Sequence, residues 1–147
     1  MPYEQLAQQG RIKPYKARPE EIRKLLQVAA RDLTAAERNL PDDHDWAYTI
    51  AYNAVLQAAR ALVLAHGFRP RGGEQHATVV QFVEEALGKK YASQIALFDQ
   101  MRRKRHRVIY EMAGLVSKQE AEQGVAFAKK FVEEIRLLIG KQASLKL

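Results

Sequence analysis

The 147-residue sequence contains no cysteine. Disulfides and thiolate zinc sites are thereby excluded, and a reducing compartment is permitted. Long hydrophobic runs are missing too. No stretch approaches the ~20 apolar residues that a membrane-spanning helix requires, and residues 1–10 hold no apolar segment of signal-peptide length. Together these absences make a soluble, cytoplasmic protein the expectation. No alternating strand pattern or hairpin signal occurs. No strand–glycine loop–helix unit is present, so neither a dinucleotide fingerprint nor a P-loop can be built. The histidines, His44, His66, His76 and His106, are scattered, with none four residues from another. No Glu-x-x-His pair exists for a carboxylate-bridged two-metal bundle. No metal and no cofactor is expected.

What is there reads as an ordinary globular chain, 47% apolar and 28% charged. Its length suits one domain that buries roughly two-thirds of its unfolded surface. The formal net charge is +7, from 24 Lys and Arg against 17 Asp and Glu. That balance permits nucleic acid as a partner without requiring it.

Helical periodicity runs through most of the chain. Residues 1–18 are polar, broken by Pro14, and read as an arm with one short turn around 3–9. The arm is expected to lie over an apolar groove or to stay mobile; its Tyr15, Lys16 and Arg18 can alternatively touch nucleic acid. A first helix spans about 19–39, with Pro19 suited to the first position and Glu20 and Glu21 to the positive end of the dipole. Asp42 and Asp43 are ready caps for a second helix reaching about His66, with Gly67 as its C-cap. From Trp46 to Leu64 this helix is apolar nearly all round, which predicts a central position among neighbours or against a second subunit. The Gly-Phe-Arg-Pro-Arg-Gly-Gly stretch at 67–73 is a connector, whose Arg69 and Arg71 can alternatively cradle a phosphate. A short helix at about 75–87 follows, with His76 near its start as a local cap or packing residue. A long helix then runs from Lys89 to near Gly114. Ser117 and Glu120 have the spacing of a capping box for the last helix, which Gly124 interrupts mildly and Gly140 closes. The expected fold is all-α, an up-down bundle of four to five helices occupying 19–140, with an arm at 1–18 and a fraying tail at 141–147.

The segment with the most chemistry is 101–111. Five of the six residues from Arg102 to Arg107 are cationic, and the sixth is His106. Leu97, Met101, Val108 and Met112 recur at four, seven and four residues, so they share one helix face with Arg105 in its middle. Asp99 stands four residues before Arg103 and Arg107 four before Glu111, so those two cations can be answered within the helix. With Asp99 and Glu111 so matched, Arg102, Lys104 and Arg105 are left without an obvious carboxylate partner nearby in sequence. Arginine forks suit phosphate, and several together suit RNA or a nucleotide. The competing reading is a solvated basic face, with the stem of Arg105 packed and its head wet.

The order of these features resembles the HEPN-domain family over nearly the whole chain, from about Pro19 to Ile139. The shared features are an amphipathic first helix, an aromatic- and alanine-rich second one, a Gly-Phe-Arg-Pro turn, an arginine-rich long helix and a Ser-capped last helix. The family signature is an arginine, a polar residue, three further residues and a histidine. Arg105 takes the arginine position, His106 the polar one, and Tyr110 stands where the histidine would be. The resemblance implies a helical bundle, a homodimer around long central helices, and nucleic-acid contact through Arg102, Arg103, Lys104, Arg105 and Arg107. It implies Arg105, His106 and Tyr110 as the catalytic positions of an RNA-cleaving member. A phenol, with an ordinary pKa of ~10, is a weak base at neutral pH, so the departure at Tyr110 leaves catalysis open. Three expectations follow. One is a dimeric RNA- or nucleotide-binding domain of a toxin–antitoxin or defence module. Another is a non-enzymatic interaction module partnering a nucleotidyltransferase. The last is a metal-independent ribonuclease using His106.

Overall fold

The computed structural model describes residues 3–145. Met1 and Pro2 of the expected arm, and Lys146 and Leu147 of the expected tail, lie outside the described residues. The elements in order are α1 (Glu4–Gln8), β1 (Ile12–Pro14), α2 (Pro19–Asn39), α3 (His44–Ala65), β2 (Phe68–Pro70), α4 (Gln75–Leu87), a single 3-10 turn (Lys89–Tyr91), α5 (Ala92–Tyr110) and α6 (Lys118–Leu145). The fold is an all-α bundle, and no described helix is long and apolar enough to cross a membrane.

Local chemistry sets the helix ends. Pro19 begins α2, and Glu21 turns back to accept the Arg18 backbone N–H at 2.7 Å. The Asp43 carboxylate accepts the Trp46 N–H at 2.9 Å and so caps α3. At α6 the Ser117 hydroxyl accepts the Glu120 N–H at 3.0 Å, while Glu120 accepts the Ser117 N–H at 3.2 Å. That is a complete capping box.

α3 is the axis of the molecule. Thirteen of its 22 residues are buried, and α2, α4, α5 and α6 all pack on it. Its many alanines let those helices approach closely. Most of the apolar surface of α3 is therefore covered inside one chain, while Trp46 near its start stays 52% exposed. Against α2 the contact also carries a part-buried polar bond, Asn53 Nδ2 to Asp32 Oδ2 at 2.7 Å. Against α6 it narrows at Gly124, where an added Cβ would meet the Tyr48 ring at 3.1 Å. Gly124 is thus a packing position and does not interrupt α6. Nor does Gly140 end that helix, which continues to Leu145.

The first residues fold onto the bundle instead of trailing from it. Tyr3, Leu6 and Ile12 are buried, and the Tyr3 ring stacks on Phe82 with centroids 4.2 Å apart. β1 pairs antiparallel with β2, Lys13 opposite Arg69. The Tyr15 N–H to Gly67 carbonyl and Arg71 N–H to Arg11 carbonyl bonds extend the ladder at both ends. This two-stranded sheet escapes the strand pattern because each strand is three residues long and bears a proline. Both strands are edges, so those prolines leave no ladder donor missing in a sheet interior.

Candidate functional site

The inner face of α5 is not the one that the Leu97–Met112 spacing suggests. Ile95, Phe98 and Met101 are buried, and Val108 packs against the core, but Leu97 and Met112 are exposed. The face centre runs through Ile95, Phe98, Arg102 and Arg105, at intervals of three, four and three residues. Arg105 therefore continues the core-facing line of α5 where that helix rises out of the bundle. The conclusion that it lies on the packed side holds, by a different set of neighbours.

The charges around it are paired in a pattern that only the packing reveals. Arg102 Nε donates to Asp99 Oδ1 at 2.9 Å, and Arg103 sits 3.1 Å from the other oxygen of the same carboxylate. Lys104 reaches across to Glu120 on α6, whose carboxyl is held below its usual range first by that hydrogen bond. Arg107 and Glu111 lie 3.5 Å apart. Among the described residues, Arg105 alone of this run has no carboxylate within ion-pair distance. Arg102 thus shares Asp99, three residues away, with Arg103, and Lys104 finds its carboxylate on another helix.

Instead of a carboxylate, Arg105 has a ring. Its guanidinium carbon lies 5.9 Å from the centroid of Tyr52 on α3, within reach of a cation–π attraction. Tyr52 is 1% exposed, and its hydroxyl lies 3.0 Å from His76 Nδ1 at the start of α4. A buried hydroxyl needs an acceptor for its proton. Burial, the larger influence, pushes the Tyr52 pKa up against the opposing arginines, so the phenol keeps that proton. Tyr52 then donates to Nδ1, and neutral His76 carries its own proton on Nε2. Burial, followed by the nearby Arg105, Arg60 and Arg102, lowers the His76 pKa and favours that neutral form. Two helices thus bring donor groups to one spot, Arg105 and Arg102 from α5 and His76 from α4, with Tyr52 of α3 among them.

His106 and Tyr110 lie on the outer side. Their ring centroids are 4.7 Å apart, so the two do meet, and Tyr110 is 68% exposed. The Arg105 ring contact is with Tyr52, and the His106 ring contact is with Tyr110. Exposed Ile109, Tyr110 and Met112 form an apolar end to α5, just before a loop anchored by Asp45, which accepts the Gly114 and Val116 N–H groups at 2.5 and 3.0 Å. Among the described residues no three His, Asp or Glu side chains gather in a way that could hold a metal ion.

Sequence reasoning does not single out Tyr52, His76 and Asp99 as parts of this spot. It matches Asp99 to Arg103, and the carboxylate in fact serves Arg102 as well. Tyr52 and His76 are 24 residues apart on different helices, and no periodicity links them.

Residues 22–138 match the HEPN domain family. Two solved structures share the fold. A crystal structure of a protein from Thermus thermophilus is 21% identical with a TM-score of 0.62, covering 79% of this chain and 96% of that one. A crystal structure of an archaeal HEPN homologue is 16% identical, again with a TM-score of 0.62, covering 81% of this chain and 98% of that one. No curated protein matches the sequence.

Proposed function

The chain belongs to the HEPN domain family, and from that premise we propose that it binds RNA or a nucleotide through Arg105 and the α5 residues around it. The observation that carries this reading is Arg105 itself. It is half-buried on the core-facing line of α5, rests against Tyr52, and lacks the carboxylate that each neighbouring cation has. Leaving a charge half-desolvated and unanswered costs stability. A phosphate bound at its fork would offset that cost. The reading extends to a cytoplasmic homodimer in a toxin–antitoxin or related defence module, where two copies would double the positive field.

His106 and Tyr110 are the positions where cleavage chemistry would sit, and their rings meet at the outer edge of α5. A second reading is a non-enzymatic module that partners a nucleotidyltransferase. It is favoured by the exposed Ile109, Tyr110 and Met112, an apolar end suited to a protein contact.

The test is RNA affinity as a function of salt for Arg105→Ala against wild type. Loss of affinity with a shallower salt dependence is expected, and unchanged values of both would remove Arg105 from the interface. Incubation with tRNA in chelator, with His106→Ala as control, separates binding from turnover. Cleavage that disappears in the control would make the protein a ribonuclease.

A further inference from the structure

Three half-buried lysine or arginine side chains, among the described residues, have neither a carboxylate within ion-pair distance nor a hydrogen bond to a protein acceptor. They are Lys13, Arg60 and Arg105. Arg105 belongs to the site already described. Arg60 lines a different feature, a groove of about 560 Å³ between α2, α3, β2 and the loop that follows it, with Tyr15 after β1. Arg60, Arg69 and Arg71 line it, and Lys13 stands directly across the ladder from Arg69. Like charges opposite one another in a strand pair destabilise it, so this arrangement works against the fold unless an anion sits between them.

The groove is also rigid. β2, which carries Arg69, and Arg71 just after it are pinned by the β1–β2 ladder and by the Tyr15–Gly67 and Arg71–Arg11 backbone bonds. The Arg69 guanidinium lies 5.3 Å over the Tyr15 ring, whose hydroxyl donates to Glu21 at 2.6 Å. Glu21 is the acidic residue of the lining, and both of its oxygens are engaged, one by Tyr15 and one by the Arg18 N–H. Three arginines therefore face one carboxylate that is already occupied.

The groove and the Arg105 spot are joined in the chain at the start of α4. Gln75 lines it, and the next residue is His76, bonded to Tyr52 under the Arg105 guanidinium. Tyr52 and Arg60 are eight residues apart on α3, about 12 Å at 1.5 Å per residue. A single phosphate group cannot bridge that spacing. We infer that the groove formed by Arg60, Arg69 and Arg71, with Lys13, is a second phosphate station for the same strand that Arg105 contacts, so that the ligand is a single-stranded oligonucleotide. A flexible single strand can bend from the α5 edge into a concave groove, with its backbone following the cations. This inference rests on the proposed Arg105 contact, and its test separates the two.

Fluorescence anisotropy with labelled oligouridine of two lengths, a dinucleotide and a strand of roughly 10 nucleotides, reads both stations. The variants are Arg69→Ala/Arg71→Ala, both exposed positions, then Lys13→Ala and Arg105→Ala, each checked by thermal melting. The double variant is expected to weaken the longer strand about tenfold and to reduce the salt slope by about 1.4, as for two phosphates. It should leave the dinucleotide unchanged. Arg105→Ala should weaken both lengths. If the double variant binds the longer strand like wild type while Arg105→Ala does not, the second station is wrong and the first survives. If both bind like wild type, both fall. Tighter capture of polyglutamate than of oligouridine, lost in the double variant, would assign the groove to an acidic protein and overturn the inference.

Discussion

Two sides of α5 carry similar charge and are built differently. On the outer and α6-facing side, Arg103, Lys104 and Arg107 each meet a carboxylate, from Asp99, Glu120 and Glu111. On the side facing α3 and α4, Arg105 meets a tyrosine ring and no carboxylate. The contrast shows that the number of cations in a segment does not locate a site. What locates it is which cation the fold leaves unanswered, since a paired arginine has little field to offer a ligand and an unpaired, half-buried one has much.

That contrast can be broken most forcefully through the core beneath it. Phe98 is fully buried under Tyr52 and Phe131, and it holds α5 at the depth that places Arg105. Phe98→Ala should cost about 3–5 kcal/mol in urea unfolding; a loss below about 1 kcal/mol would mean that α5 is not held by this ring. Next in size, Arg105→Ala should lower RNA affinity by about tenfold or more, while Arg103→Ala stays within about twofold, because its charge is already answered. Equal losses from the two variants would erase the distinction between the sides. Tyr52→Phe keeps the ring under Arg105 and deletes the bond to His76, which should destabilise by about 1 kcal/mol. A cost near zero would mean that His76 finds another donor. For the answered side, a double-mutant cycle on Lys104 and Glu120 should return a coupling of only about 0.2–1 kcal/mol, since both groups are partly exposed. The smallest expected effect is that of pH. The His76 pKa lies below its ordinary 6.5 in the folded state, so the unfolded chain binds that proton more readily. The His76 contribution to stability is full above pH 6.5 and declines as pH falls below it. Unfolding curves at pH 7 and near pH 5 should show a smaller drop for His76→Gln than for wild type.

Much of the fold is legible in the chain. The bounds of α2 and α4 and the capping box of α6 follow from proline, acidic first turns, glycine and Ser–Glu spacing, all acting within a few residues. The β1–β2 pair is not legible, because six residues far apart make too little pattern. Nor is the face of α5. Leu97, Met101, Val108 and Met112 are a valid helical stripe, but the packed side is set by where α3 lies, and that side takes Ile95 and Phe98 and leaves Leu97 and Met112 exposed. For the candidate site, Arg105 stands out as an arginine on an apolar helix face. Its Tyr52 contact, the His76 bond and the Glu120 partner of Lys104 all join different helices.

By itself, then, the sequence determined an all-α bundle and a basic α5, because helix periodicity, caps and charge are properties of near neighbours along the chain. Only the tertiary structure decided which of five cations is left without a carboxylate, and which aromatic takes its place. Ion pairs and ring contacts form through space, and the distances that make them are set by how α3, α4, α5 and α6 pack.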